Sequence, residues 1–242
     1  MLKPFIKFAL FALSHVICAM VVAAPPATVE KAICRPQFKL ADQTLSAGTA
    51  FVLDVTEPRS QSLLVSAIHL FGPAGGLKDQ IPATELAQKV SSVYCVALVT
   101  RDAWSAGRAL TIPGAKPLAS GYKQDVAAFV LNQVKAGEQP VHLKLAAQMP
   151  KIGDQIWLLA QVADGAPSTQ LLHHAIVRYS KDDGIIYQYD NASLNLKATS
   201  GAPLINADGE VVGINLGGGN HNGLIGIGDS LESLRAALAS AK

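Results

Sequence analysis

The amino-acid sequence predicts an all-β protein closed by one C-terminal helix. Three observations carry this. The middle of the chain is a succession of short apolar runs, most bounded by Gly, Pro, Asn, Asp or Ser, which is how strands punctuated by turns read. Two late runs are joined by Asn206-Ala207-Asp208-Gly209, and Asp-Gly supplies the positive φ values of a hairpin turn at little cost. The stretch Asp229 to Ala241 is the firmest helical segment, with Leu231, Leu234 and Leu238 on one face.

In chain order, the first element is Met1-Leu2-Lys3-Pro4-Phe5-Ile6-Lys7, two cations without an acid. An apolar run from Phe8 to about Ala24 follows, interrupted only by Ser14 and His15. This is the order of a secretory signal. The run is short for a membrane span, which needs about 20 apolar residues. Residues 1–24 are expected to be a removable leader, with Ala19, Ala23 and Ala24 as cleavage points; an uncleaved anchor helix is the alternative. Cys18 follows Ile17, a poor match to the small residue that lipoprotein sites prefer.

Loss of the leader takes Lys3 and Lys7 and no acid, which brings the 20 cations level with the 18 acids. No block of Lys or Arg remains, so the chain lacks the clustered charge that nucleic-acid binding requires. With the leader gone no membrane association is expected either, and the oligomeric state is left open. Cys34 and Cys95 allow one pairing; export favours a disulfide, and two buried thiols are the alternative. About 218 residues remain, enough for one large all-β domain or two small fused barrels, and they contain no internal repeat.

The strand-sized runs are Ala50 to Leu53, Leu63 to Val65, Tyr94 to Val99, Val126 to Val130, Ile156 to Ala160, His174 to Tyr179 and Val211 to Ile214. Residues 83–91 read as a short helix on a connection. Asn132 to Pro140 reads as a link between halves. For the terminal helix, Asp229 is the expected cap, with Glu232 reaching back in a capping box.

Three segments each present one reactive group. Leu63-Leu64-Val65-Ser66-Ala67-Ile68-His69 is an apolar strand that delivers a histidine, the side chain suited to moving protons near neutral pH. Asp125 leads the apolar strand Val126 to Leu131, and a buried carboxylate there needs a partner such as an imidazole N–H. Ala198-Thr199-Ser200-Gly201-Ala202-Pro203-Leu204 sets a serine among tiny residues, where the backbone turns sharply and brings its N–H groups near a substrate carbonyl. His142 and His173-His174 have no Cys or acid at a metal-ligand spacing, so no metal or other cofactor is expected.

Ser66-Ala67-Ile68-His69 resembles the Thr/Ser-Ala-Ala-His motif of the trypsin/chymotrypsin superfamily. Asp125-Val126-Ala127 is similar to its Asp-Ile/Val-Ala motif, and Thr199-Ser200-Gly201-Ala202-Pro203-Leu204 to its Asp/Asn-Ser-Gly-Gly-Pro-Leu motif. Ser46 to Val52 resembles the strand that opens the first barrel. The order His, Asp, Ser matches, and the resemblance spans about residues 45–240. It implies two Greek-key β-barrels of the chymotrypsin type with a C-terminal helix. Residues 25–135 would form the N-terminal barrel with His69 and Asp125, and 136–242 the C-terminal barrel with Ser200.

The resemblance also implies a catalytic triad of His69, Asp125 and Ser200, with the Ala198 and Ser200 N–H groups as oxyanion hole. Asn215, Leu216 and Gly217 would pair with substrate and wall its pocket. No acid lies between Leu194 and Ser200, which points to small or apolar side chains at the cleaved bond. Two departures stand out: Ala198 replaces the usual Gly, and Thr199 the usual Asp, which removes the activation route through a new N-terminus. The implied function is an exported endopeptidase, periplasmic or secreted, acting on protein or peptide. The alternative is a peptide-binding member of the same fold without turnover.

Overall fold

The computed structural model describes residues 23–55, 61–118, 121–132 and 139–242. The expected leader up to residue 22, and residues 133–138 of the expected link, lie outside the described residues. Seven strands come first: β1 (Ile33–Lys39), β2 (Thr44–Ser46), β3 (Ala50–Val55), β4 (Gln61–Ser66), β5 (Ser92–Ala97), β6 (Ala103–Ala109) and β7 (Ala127–Leu131). Between β4 and β5 a 3₁₀ turn at Ala83–Glu85 runs into the short helix α1 (Leu86–Lys89), where the sequence predicts a helix. The second half holds β8 (Gln155–Leu159), β9 (Leu172–Lys181), β10 (Gly184–Tyr189), β11 (Pro203–Ile205), β12 (Val211–Asn220) and β13 (Leu224–Ser230), then helix α2 (Leu231–Ser240).

The strands close into two six-stranded antiparallel barrels. The first runs β1-β3-β4-β7-β6-β5 and is sealed by β5 pairing with β1, while β2 hangs on β1. The second runs β10-β13-β12-β11-β8-β9 and returns to β10. Both share one circular order: the third strand in sequence pairs with the sixth, and the first with the fourth. That is the Greek-key arrangement, and closure pairs both edges of every strand in the two rings, leaving only the three-residue β2 at a margin among the described residues.

Side-chain alternation builds three apolar clusters. In β3, Ala50 and Val52 face the interior of the first barrel, with Phe38, Phe71 and Phe129. Phe51 and Leu53 point the other way, into a cluster shared with Trp157, Ile205, Ile214 and Leu216 of the second half and with Leu234 and Leu238 of α2. The second barrel is filled by Ile156, Leu158, Val177, Tyr187, Leu204 and Val212. A strand buried on both faces loses the polar half of its period-2 pattern, which is why Ala50 to Leu53 reads as an unbroken run. Among the described residues no helix is long and apolar enough to cross a membrane.

Cys34 and Cys95 form a disulfide between β1 and β5, with Cα atoms 5.6 Å apart and 61 positions between them in sequence. A closed loop of that length restricts the unfolded chain strongly. Replacing both cysteines by serine is expected to lower unfolding free energy by about 3–4 kcal/mol, read from urea melts of both proteins.

The terminal helix starts one residue later than the sequence pattern suggests. Ser230 caps it, its hydroxyl accepting from the Ser233 N–H. Asp229 remains in β13 with no solvent exposure, and Glu232 pairs with Arg235 instead of reaching back. Either Asp or Ser can cap a helix; the tertiary contacts of Asp229 select Ser230.

Candidate active site

Strand pairing decides which side chains meet. Ser66, the last residue of β4, lies opposite Ala127, the first residue of β7. The chain leaving β4 and the chain entering β7 therefore occupy the same end of the first barrel. His69 follows on the 3₁₀ turn Ile68–Phe71, and Asp125 comes two residues before β7. The pairing brings these residues, 56 positions apart, into contact: Asp125 Oδ2 lies 2.8 Å from His69 Nδ1. Asp125 Oδ1 accepts the His69 main-chain N–H at 2.9 Å. Asp125 is fully buried and His69 is 6 % exposed. A carboxylate only accepts, so Nδ1 carries the proton and Nε2 is left with a free lone pair.

Asp125 is itself held from the second barrel. Its N–H donates to Asp229 Oδ2 at 3.1 Å, and the neighbouring Gln124 N–H donates to Ser233 Oγ of α2 at 2.9 Å. Asp229 Oδ1 has no partner among the described residues. Burial pushes the Asp229 carboxyl up to about 7, against bonding from Ser233, and the Asp125 charge adds to the rise. Between its ordinary value of 3.8 and about 7 the folded chain holds a proton that the unfolded chain has lost. Stability from this group is thus complete below about pH 4 and is lost as pH rises through 7. Asp229→Asn should therefore gain on the parent protein between pH 4 and pH 8, by about 4 kcal/mol in urea melts at the two pH values.

The serine sits on the loop that enters β11. Gly201 has φ +84°, and a Cβ there would come within 2.4 Å of Ser66 Oγ, 2.5 Å of Thr49 O and 3.0 Å of Ala67 N. The Ser200 loop is thereby packed onto the same strand end that delivers His69. The Ser200 carbonyl accepts the Thr49 N–H at 2.9 Å. Ser200 Oγ donates to Leu216 O at 3.1 Å, and among the described residues it makes no hydrogen bond to His69.

Ala198 adopts φ +66°, the left-handed region where a Cβ costs about 1–2 kcal/mol. Its carbonyl accepts from Arg35 Nη1 at 2.7 Å and from Thr49 Oγ1 at 2.9 Å. Among the described residues no acceptor takes the N–H of Ala198 or of Ser200. Thr199 is buried; its hydroxyl donates to Leu196 O at 2.7 Å and accepts from Asn215 Nδ2 at 3.0 Å. Asn215 Oδ1 in turn accepts from the Tyr187 phenol, whose pKa complete burial pushes far upward and so keeps it a donor.

Asn215 is thus inside the molecule. Its main-chain groups are spent on Gly201 N–H and Ala202 O, and its side chain steadies Thr199. Leu216 is buried with its carbonyl toward Ser200, and at Gly217 a Cβ would meet nothing within 4 Å. Beyond them Gly218 lies against Leu196, so that a Cβ there would stand 2.7 Å from Leu196 Cδ1. The sequence reading passes over three contributors, Arg35, Thr49 and Asp229. Arg35 and Asp229 lie within strands β1 and β13 and Thr49 just before β3, and nothing local in the sequence distinguishes them from ordinary surface polar residues.

His142, His173 and His174 are engaged away from this site. His173 is buried with Nε2 3.0 Å from Ala160 O, and desolvation pulls its pKa down. His174 pairs with Asp190, and His142 Nδ1 lies 2.7 Å from Asp54 Oδ1. Among the described residues no group of three His, Cys, Asp or Glu side chains is arranged to hold a metal ion.

Residues 48–214, more than half of the chain, match the family model described as a trypsin-like peptidase domain. The chain belongs to this family. The trypsin-like peptidase is a serine hydrolase with the double-barrel fold of its class, and its family match spans the segments bearing His69, Asp125 and Ser200. Its fold is similar to that of the Rv3671c protease from M. tuberculosis in the active form, at 16% identity over 99% of this chain and 93% of that one, with a TM-score of 0.56. It is also similar to AL20, a thermostable serine protease from an extremophilic microorganism, at 14% identity over 88% and 98% of the chains, with a TM-score of 0.58. No curated protein sequence matches the chain.

Proposed function

We propose that this trypsin-like peptidase is an exported endopeptidase that cleaves peptide bonds through an acyl-enzyme on Ser200. The observation that carries the reading is the buried His69–Asp125 pair on the strand end where the Ser200 loop packs, a loop whose Ala198 and Ser200 N–H groups have no acceptor among the described residues. On attack, Ser200 Oγ leaves Leu216 O, gives its proton to His69 Nε2 and bonds to the substrate carbonyl carbon. Asp125 orients the imidazole and stabilises its positive form. The Ala198 and Ser200 N–H groups receive the oxyanion. His69 then protonates the leaving amine, and water reverses the sequence. Leu216 and Gly217 border the substrate strand, and Leu196 beside Gly218 gives the pocket an apolar wall that fits small or apolar side chains. The disulfide suits an oxidising compartment, periplasmic or extracellular, reached by removal of residues 1–24.

One observation favours a second reading, peptide binding without turnover: the Ser200 hydroxyl is turned to Leu216. A fluorophosphonate probe separates the two. Peptide mapping of the mature protein is expected to find the label on Ser200. Folded protein that stays unlabelled assigns the cleft to binding alone.

A further inference from the structure

Arg35 stands in β1 beside the disulfide, and its guanidinium leaves the first barrel. Nη1 donates to Ala198 O at 2.7 Å, to Gly48 O at 3.2 Å and to Thr49 Oγ1 at 3.2 Å. Nη2 donates to Gln161 O at 2.9 Å, with Gln161 Oε1 at 3.5 Å. Among the described residues no carboxylate pairs with it. A planar fork of donors spent on fixed oxygens serves to hold geometry. Three segments are tied by one side chain: the turn before β3, the segment after β8 and the nucleophile loop.

The shortest of these bonds falls on the residue whose conformation is least favourable. Alanine resists φ +66°, and on its own it relaxes toward negative φ, turning its N–H out of the cleft. A charge-assisted bond to the carbonyl opposes that rotation, and Thr49 Oγ1 adds a second donor to the same oxygen. We propose that Arg35 is a positioning residue: it locks Ala198 in the left-handed conformation and so keeps the oxyanion donors aimed at the substrate. A bond from β1 does here what a glycine does through conformational freedom. The inference rests on the catalytic reading given above.

The test combines Arg35→Met, which removes the donors and keeps the apolar stem, with Ala198→Gly. Fluorophosphonate acylation and kcat and KM on a peptide ester are measured, with circular dichroism as the check on folding. Arg35→Met should slow acylation and lower kcat by about 10²-fold with KM little changed, the scale of one lost oxyanion donor. Arg35→Met/Ala198→Gly should recover at least about tenfold, because glycine holds φ +66° without a clamp. Retention of acylation within about threefold in Arg35→Met, or no recovery in the double variant, overturns the proposal. Should Arg35→Met fail to fold, Arg35→Lys keeps the charge and one donor and is expected to fall between the two rates; a Lys variant as slow as an unfolded protein, or as fast as the parent, overturns it. A crystal structure of the folded Arg35 variant gives a readout independent of turnover. Ala198 moving to negative φ supports the clamp, and Ala198 staying at positive φ refutes it. An unlabelled parent protein sinks the catalytic reading, while Ala198 in that crystal structure still decides the clamp.

Discussion

His69→Ala is expected to lower kcat by about 10⁶-fold, and Asp125→Asn by about 10⁴-fold, in proteins that remain folded. The ranking follows from what each change removes. Without His69 nothing accepts the Ser200 proton. With asparagine at 125 the ring is still held, because one oxygen can take the His69 main-chain N–H. The amide NH₂ then faces Nδ1, where Oδ2 now lies at 2.8 Å. Nδ1 must become the acceptor, so the proton moves to Nε2 and the base is lost. Single-turnover rates with an activated ester, set against near-identical urea melts, check this. Equal losses for the two variants, or a His69→Ala protein that still cleaves, would contradict the assignment.

Gly201→Ala should cost about 10²-fold in acylation and about 3 kcal/mol in stability. Two penalties combine. At φ +84° any Cβ is strained. The new methyl would also press on Ser66 Oγ at 2.4 Å and on Thr49 O at 2.5 Å, and the latter is main chain directly before β3, not the end of a flexible side chain. The loop must lift away, carrying the Ser200 carbonyl off the Thr49 N–H and the hydroxyl off Leu216 O. A displacement of about 1 Å at the nucleophile is enough for a hundredfold loss. Labelling rate and melting midpoint together test it; an unchanged labelling rate would show that the loop tolerates the displacement.

How far this architecture could be read in the sequence depended on burial. β3 and β4 were legible because they pack on both faces, so their residues form continuous apolar runs. β6 was not: in Ala-Trp-Ser-Ala-Gly-Arg-Ala only Trp104, Ala106 and Ala109 are buried, each separated by more exposed residues, which leaves no run to see. β13 alternates glycine with Leu and Ile, and β1 contains Pro36, which argues against a strand. At the site, the His69, Asp125 and Ser200 segments announced themselves through small residues next to apolar strands. Arg35 and Asp229 did not, since their significance lies in partners 163 and 104 positions away. Asn215 reads as part of a substrate-facing strand, but a bulge after it directs its amide inward to Thr199.

The bonds from Thr49 to Ser200, Arg35 to Ala198 and Asp125 to Asp229 each cross from one barrel to the other. The rivets that arm the cleft therefore also help to join the halves, beside the apolar cluster packed between them. Warming that merely pries the halves apart disarms the protein before either barrel has begun to melt, so loss of turnover is an early gauge of opening, ahead of any change in strand content.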